Sequence, residues 1–123
     1  MGLSKKKILF VEDEKSLCML YEEEFLDEGF DVAAVRSGED ALKKLDAFIP
    51  DLIILDIVLP GINGLETLAQ IRERRDGIPR VILHTSHAKY QFDPKSRLAD
   101  AYIMKSADLT ELKEKSKALL GIP

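Results

Sequence analysis

PDLIILDIVLPGINGLE, residues 50–66, is the stretch of sequence that decides the predicted fold. Its short apolar run, rich in Ile and Leu and bounded by Pro and Gly, is typical of a strand buried on both faces of a parallel sheet. The run ends at a lone carboxylate, Asp56, at the strand end where open α/β sheets keep their ligands. Because Asp disfavours strands and is rarely buried without a partner, Asp56 needs one from elsewhere in the chain.

Strand-like and helix-like segments alternate along the rest of the chain. The predicted strands are Lys7–Val11, Phe30–Val35, Asp51–Leu55, Arg80–His84 and Tyr102–Met104. The predicted helices are Lys15–Glu28, Gly38–Ala47 after the cap Ser37, Asn63 to about Arg75, a short one at Pro94–Leu98, and one opened by Asp108 and Glu111. Five strands alternating with five helices predict a parallel sheet with helices on both faces. The segment from Ser86 to Asp100 is the least regular.

Composition restricts the classes of function. The 123 residues, 46% apolar and 33% charged, predict one soluble globular domain over residues 1–123, and residues 1–6 are expected to be disordered or left over from cloning. No apolar run approaches the ~20 residues of a membrane span. A net charge of −4 without a basic stripe argues against direct nucleic-acid binding. The lone Cys18 cannot form an internal disulfide, which predicts a cytoplasmic protein.

Polar side chains follow four of the predicted strands and converge on one edge of the sheet. Glu12 and Asp13 follow the first strand, Asp56 the third, Thr85 and Ser86 the fourth, and Lys105 the fifth. Clustered carboxylates raise one another's pKa unless a cation neutralises them, and an all-oxygen set suits Mg²⁺. A hydroxyl and a lysine offer a donor and a positive charge to a phosphoryl group, and a carboxylate can itself be the nucleophile.

These residues resemble the receiver domains of bacterial two-component response regulators over essentially the whole chain. The resemblance is carried by ILFVEDE at 8–14, SGEDAL at 37–42, PDLIILD at 50–56, LPGING at 59–64, Ile78-Pro79 and AYIMK at 101–105. It implies a flavodoxin-like, doubly wound (βα)5 three-layer sandwich with a parallel sheet of order 2-1-3-4-5.

The resemblance also implies a phosphoacceptor and a metal site. Asp56 would accept the phosphoryl group. Glu12 and Asp13 would hold Mg²⁺, or another divalent cation, together with Asp56, with Asp13 as the more direct ligand. The backbone carbonyl of Val58 would complete the protein ligands.

Three further residues would respond to the phosphoryl group. Thr85 would hydrogen-bond one of its oxygens, Lys105 would pair with another, and Tyr102 would move inward with the threonine. The donor would be the phosphohistidine of a histidine kinase or phosphotransfer protein, or a small acyl phosphate. The output would pass to a downstream protein or to an output domain absent from this chain, which would itself be a monomer or a weak homodimer.

The sequence departs from the family pattern at four places. Ser106 replaces the usual cis proline, so the Lys105–Ser106 peptide is expected either trans with a shifted lysine or in a strained cis form that costs ~2.5–4 kcal/mol. Ser86 competes with Thr85 for the phosphate-facing role, and Thr85 is favoured. The segment 87–98 stands where a regular fourth helix is expected. The apolar Val58 cannot orient a water, which predicts a long-lived phosphoryl group; a half-life of seconds or less would contradict this.

Two other functions compete with a phosphoaccepting switch. A receiver-shaped binding module that acts independently of phosphate would explain Ser106 and the irregular segment, but the intact acidic set and Lys105 argue against it. An aspartyl-phosphate phosphatase would want a second carboxylate two residues after the nucleophile, where Val58 stands. The sequence therefore predicts a signalling switch and not a turnover enzyme.

Overall fold

The structure is a computed structural model that describes residues 5–123. Residues 1–4 of the N-terminal segment 1–6, which was expected to be disordered or left over from cloning, lie outside the described part. The strands are β1 Lys7–Val11, β2 Asp31–Val35, β3 Leu52–Leu55, β4 Arg80–Thr85 and β5 Ala101–Met104. The helices are α1 Lys15–Asp27, α2 Gly38–Phe48, α3 Gly64–Arg74 and α4 Thr110–Leu119. Within residues 5–123, no helix has both the length and the apolarity that a bilayer crossing requires.

The five strands form one parallel sheet in the order β2-β1-β3-β4-β5, which confirms the predicted topology. Alternate residues of the central strands face opposite sides, as the pleat requires. Leu9 and Ile53 pack in the core cluster that includes residues of α2 and α3. Phe10 and Ile54 pack in the cluster that includes residues of α1 and α4. The result is the predicted three-layer sandwich, with both faces of β1 and β3 buried.

The helix starts follow the capping signals in the sequence. The Ser37 hydroxyl accepts a hydrogen bond from the Asp40 amide at 3.1 Å, and the Asn63 side chain accepts one from the Glu66 amide at 2.9 Å. Caps of this kind stabilise a helix by ~1 kcal/mol. The second cap also fixes where α3 begins, eight residues after Asp56, and so limits the length of the loop beside that carboxylate.

The segment between β4 and β5, where the expected alternation places the fourth of five helices, does not form an α-helix. Two short 3-10 helices occupy it, Ala88–Phe92 and Pro94–Leu98, so the short helix predicted at Pro94–Leu98 lies at the predicted residues but has the tighter form. Asp93 between them is extended, with φ −73° and ψ 130°, because a residue before proline is driven out of the helical region. Its side chain then caps the second turn by accepting from the Lys95 amide. The proline therefore divides one potential α-helix into two turns.

Candidate functional site

Three carboxylates meet at the carboxyl edge of the sheet. Glu12, Asp13 and Asp56 each offer an oxygen, and these atoms all lie within 4.8 Å of one another. β1 and β3 are neighbours with Val11 opposite Leu55, so residues that follow the two strands end side by side. Glu12 and Asp56 are buried, whereas Asp13 is partly exposed. The predicted acids are thus brought together as the parallel topology requires.

Lys105 reaches into this group from the end of β5. Its Nζ lies 2.6 Å from Glu12 Oε1 and 3.0 Å from Asp56 Oδ2, and its backbone amide donates to the Thr85 carbonyl. The cis peptide bond found in residues 5–123 is Ile78–Pro79, so the peptide before Ser106 is trans. Of the two geometries expected there, the trans form is found. The ammonium contacts both acids in that form.

The Lys105 ammonium faces the buried carboxylates of Glu12 and Asp56, and the Asp13 carboxylate lies nearby. Burial raises the pKa of Glu12 and of Asp56, and the hydrogen bonds and charge of Lys105 only partly offset this effect. Burial also disfavours the charged form of Lys105, but its bonds to the two acids outweigh burial and raise the pKa of the ammonium. The edge therefore carries an excess of negative charge on oxygen donors. This donor set fits Mg²⁺, which takes one or two carboxylates and completes its shell with water or phosphate oxygens.

A cavity of about 200 Å³ opens beside Asp56. Its lining residues are Asp13, Glu14, Asp56, Val58, Ser86, His87 and Lys105. Glu14 and His87 were not singled out for this site from the sequence, although each lies within two residues of a predicted site residue. Carboxylates line one side of the cavity and the Lys105 ammonium lines another, an arrangement that suits a small anion bound together with a cation.

The two hydroxyls after β4 have different environments. Ser86 is exposed and lines the cavity, whereas Thr85 is fully buried and its hydroxyl accepts a hydrogen bond from the His87 amide at 3.2 Å. The Tyr102 hydroxyl donates to the carbonyl of the same His87. His87 therefore joins, through its own backbone, the threonine and the tyrosine to which the family resemblance gives switching roles.

Gly64 brings the start of α3 against the backbone of Asp56. A Cβ at this position would lie 2.1 Å from the Asp56 carbonyl oxygen and 2.7 Å from the Ile57 Cα, and the Gly64 amide donates to the Ile57 carbonyl at 2.7 Å. No side chain fits this contact. The sequence indicated Gly64 only as part of a loop, so its direct support of the Asp56 backbone is a finding of the tertiary structure.

The family model for the response regulator receiver domain matches residues 8–117. Among curated proteins, the chain is 37% identical over 118 residues to the alkaline phosphatase synthesis transcriptional regulatory protein PhoP of Bacillus subtilis, covering 94% of this chain and 48% of PhoP. It is 38% identical over 117 residues to the response regulator ArlR of Staphylococcus aureus, covering 93% of this chain and 52% of ArlR. The chain thus spans about half the length of these relatives.

Solved structures match along nearly the whole chain. The response regulator TrrA of Thermotoga maritima, in complex with Mg²⁺-BeF, is 43% identical with a TM-score of 0.88, covering 93% of this chain and 98% of TrrA. A complex of TrrA with the histidine kinase ThkA matches at 43% identity and a TM-score of 0.87, covering 94% and 98%. A CheY-like receiver domain of Methanospirillum hungatei has 31% identity and a TM-score of 0.89, covering 96% and 95%. These matches confirm the predicted fold class.

Proposed function

The chain belongs to the response regulator receiver domain family, and on that basis we propose that it accepts a phosphoryl group on Asp56 from a histidine kinase. One observation carries the proposal: the Asp56 carboxylate lies with Glu12 and Asp13 within 4.8 Å and beside the Lys105 ammonium. Burial raises the pKa of the Asp56 carboxyl group, and the fold does not need two further carboxylates beside it for stability. A phosphate-independent binding module would not need the set at all.

The residues of the chain would hold the cation and the phosphoryl group in position. Glu12, Asp13, Asp56 and the Val58 carbonyl would hold Mg²⁺, which when bound supplies positive charge to the phosphoryl oxygens. Lys105 Nζ contacts Asp56 Oδ2 at 3.0 Å, and a carboxylate oxygen of Asp56 would attack phosphorus. The new O–P bond forms as the P–N bond to the donor histidine breaks, and the imidazole leaves with the electron pair. Catalysis then consists of positioning and charge neutralisation, without turnover.

The response would pass through Thr85 and Tyr102. A hydroxyl has one donor and two acceptor sites, so Thr85 can donate to a phosphoryl oxygen while it still accepts from the His87 amide. Phosphorylation adds about −1.5 to −2 charges to the edge, enough to bias a two-state element. The His87 amide bonds the Thr85 hydroxyl and the His87 carbonyl accepts from the Tyr102 hydroxyl, so a shift of Thr85 would be transmitted to Tyr102.

The kinase would dock on the exposed apolar side of α1, next to the acidic edge. Met19 and Leu20 are 61% and 42% exposed. Leu20 borders a groove of about 400 Å³ together with Ala107 and Asp108, which directly follow the Lys105 loop. A phosphohistidine can reach Asp56 only if the donor's surface rests beside this edge. The similar TrrA was solved with its histidine kinase ThkA, which supports a partner of that class.

The proposed function includes a cytoplasmic location and a monomeric or weakly dimeric state. The domain would transmit its phosphorylation state to a downstream protein or to an output domain. The curated relatives are about twice as long as the matched segment, so the output of the whole protein is part of this proposal.

Intact mass spectrometry after incubation with acetyl phosphate and Mg²⁺ tests the acceptor. We expect one phosphoryl adduct on the wild type, none on Asp56→Ala and none with EDTA. Asp46→Ala is the control, because the Asp46 side chain is 86% exposed and, within residues 5–123, its ion pair is with Arg75. If neither acetyl phosphate nor a panel of phosphorylated kinases labels the wild type, the binding-module alternative replaces this proposal.

Leu20→Glu tests the docking surface apart from the chemistry. We expect transfer from a phosphorylated cognate kinase to fall by about tenfold or more, since truncating or charging an interface anchor costs above ~1.4 kcal/mol. Labelling by acetyl phosphate should stay at the wild-type rate. Leu26→Glu, 53% exposed near the far end of the same helix, is the matched control. Equal transfer rates for Leu20→Glu and Leu26→Glu would place the docking surface elsewhere.

A further inference from the structure

We propose that Arg36 is a positioning residue for the cation site. Its Nε and Nη2 donate to the backbone carbonyl of Asp13 at 3.0 Å and 2.8 Å. The inference rests on the cation binding included in the proposed function, and not on phosphotransfer. The family resemblance assigned no role to Arg36, and its position after β2 carries no motif that marks it.

The sheet register brings Arg36 to this carbonyl. β2 ends at Val35, opposite Val11 of β1, and the Glu12 amide donates to the Val35 carbonyl at 3.0 Å. Arg36 therefore follows β2 where the acidic loop follows β1. Both of its bonded nitrogens converge on one oxygen, an arrangement that a planar guanidinium can make and a flexible ammonium cannot.

The carbonyl of Asp13 is the point at which the acidic loop most needs support. Glu12 is held on three sides: Cys18 Sγ donates to its carbonyl at 3.0 Å, the Glu14 amide donates to its carboxylate at 3.2 Å, and Lys105 pairs with it. Asp13 is partly exposed and stands between two further acids in the sequence. The two hydrogen bonds from the Arg36 guanidinium oppose the repulsion among these three consecutive acids, because they fix the backbone from which the Asp13 carboxylate extends.

Two possible effects of Arg36 have opposite signs. As a positive charge near the carboxylates, it repels a divalent cation, so its removal would tighten cation binding. As a support of the loop, it keeps the Asp13 carboxylate close to Glu12 and Asp56, so its removal would weaken binding. Arg36 is exposed, and salt and solvent screen its charge effect. The positioning effect should therefore decide the outcome.

Isothermal titration with Mg²⁺ at fixed ionic strength separates these effects in the full chain. For Arg36→Ala we expect the Mg²⁺ Kd to rise by about tenfold, the lower end of the loss seen when residues that orient metal ligands are removed. Arg36→Lys keeps the charge but not the fork and should also raise the Kd. Arg97 is an exposed arginine beside a separate cavity whose lining includes neither Glu12 nor Asp13 nor Asp56, so Arg97→Ala should leave the Kd unchanged.

Thermal unfolding with EDTA and with saturating Mg²⁺ supplies the second measurement. A positioning role predicts that Arg36→Ala loses much of the Mg²⁺-induced rise in Tm, whereas a merely structural role predicts an equal fall in both conditions. An unchanged or lower Kd for Arg36→Ala overturns the inference, as does a wild type that binds no Mg²⁺. If the wild type binds Mg²⁺ but forms no adduct on Asp56, the proposed function fails and the inference on Arg36 is still decided by the Kd values.

Discussion

Replacing Lys105 with methionine removes the ammonium that contacts Glu12 and Asp56 but keeps a side chain of similar length. The two carboxylates have side chains that are only 3% and 8% exposed, so solvent cannot replace the lost partner. Removing one member of a buried ion pair costs about 3–5 kcal/mol because it leaves an uncompensated charge. The variant should therefore be markedly destabilised when both acids are ionised.

Protonation of Glu12 or Asp56 limits the loss of stability in Lys105→Met, and the size of that loss therefore depends on pH. Protonating a glutamate of ordinary pKa 4.5 costs about 1.4 kcal/mol for each pH unit above that value, hence about 3.5 kcal/mol near pH 7 and about 1.4 kcal/mol near pH 5.5. The folded-state pKa of the acids is raised, so their effect on stability is most favourable below the ordinary pKa and is lost as the pH rises. We expect Lys105→Met to cost about 3 kcal/mol near pH 7 and less than half of that near pH 5.5.

Urea unfolding followed by far-UV circular dichroism measures these losses, since the chain has no Trp. The titrations are run in EDTA at both pH values and repeated near pH 7 with saturating Mg²⁺, which should recover part of the loss. Lys113→Met is the matched control. Among the residues that the structure describes, the Lys113 ammonium pairs with Glu24 and Glu28, which are more exposed than Glu12 and Asp56, so its loss should be small. The same destabilisation at both pH values would refute the reasoning, since it would indicate lost packing of the lysine stem and not an unpaired charge.

Two further predictions concern Gly64 and His84. Gly64→Ala should slow adduct formation on Asp56 and destabilise the fold by about 1–3 kcal/mol, because the added Cβ meets the Asp56 carbonyl; wild-type labelling and an unchanged urea midpoint would contradict this. Burial lowers the pKa of His84 from 6.5 to about 4, so the unfolded state binds a proton first and stability should fall as the pH drops through this range. The difference in unfolding free energy between wild type and His84→Leu should shift by up to about 3 kcal/mol between those pH values, and a constant difference would refute it.

Local sequence signals located most of the candidate site because the parallel fold places the ends of its strands at one edge. Each acid could be assigned to that edge from the end of an apolar run alone. The choice between adjacent hydroxyls could not be made in this way. Ser86, and not Thr85, lines the cavity, because side-chain direction depends on how the strand end turns over its neighbours. The role proposed for Thr85 therefore requires its buried hydroxyl to become accessible to a phosphoryl oxygen.

The sequence by itself determined the alternation of strands and helices, the helix caps and the chemistry of the acidic edge, because these depend on periodicity and on capping residues. The strand order was implied by the resemblance to the receiver family. It also predicted a short helix that begins at Pro94, although not the pair of 3-10 helices found there. Only the tertiary structure decided which distant groups support the site. The Arg36 fork on the Asp13 carbonyl and the contact of Gly64 with Asp56 join residues whose neighbours are set by register and packing. Contacts of this kind leave no local periodicity to detect, since each depends on where two separate elements come to rest.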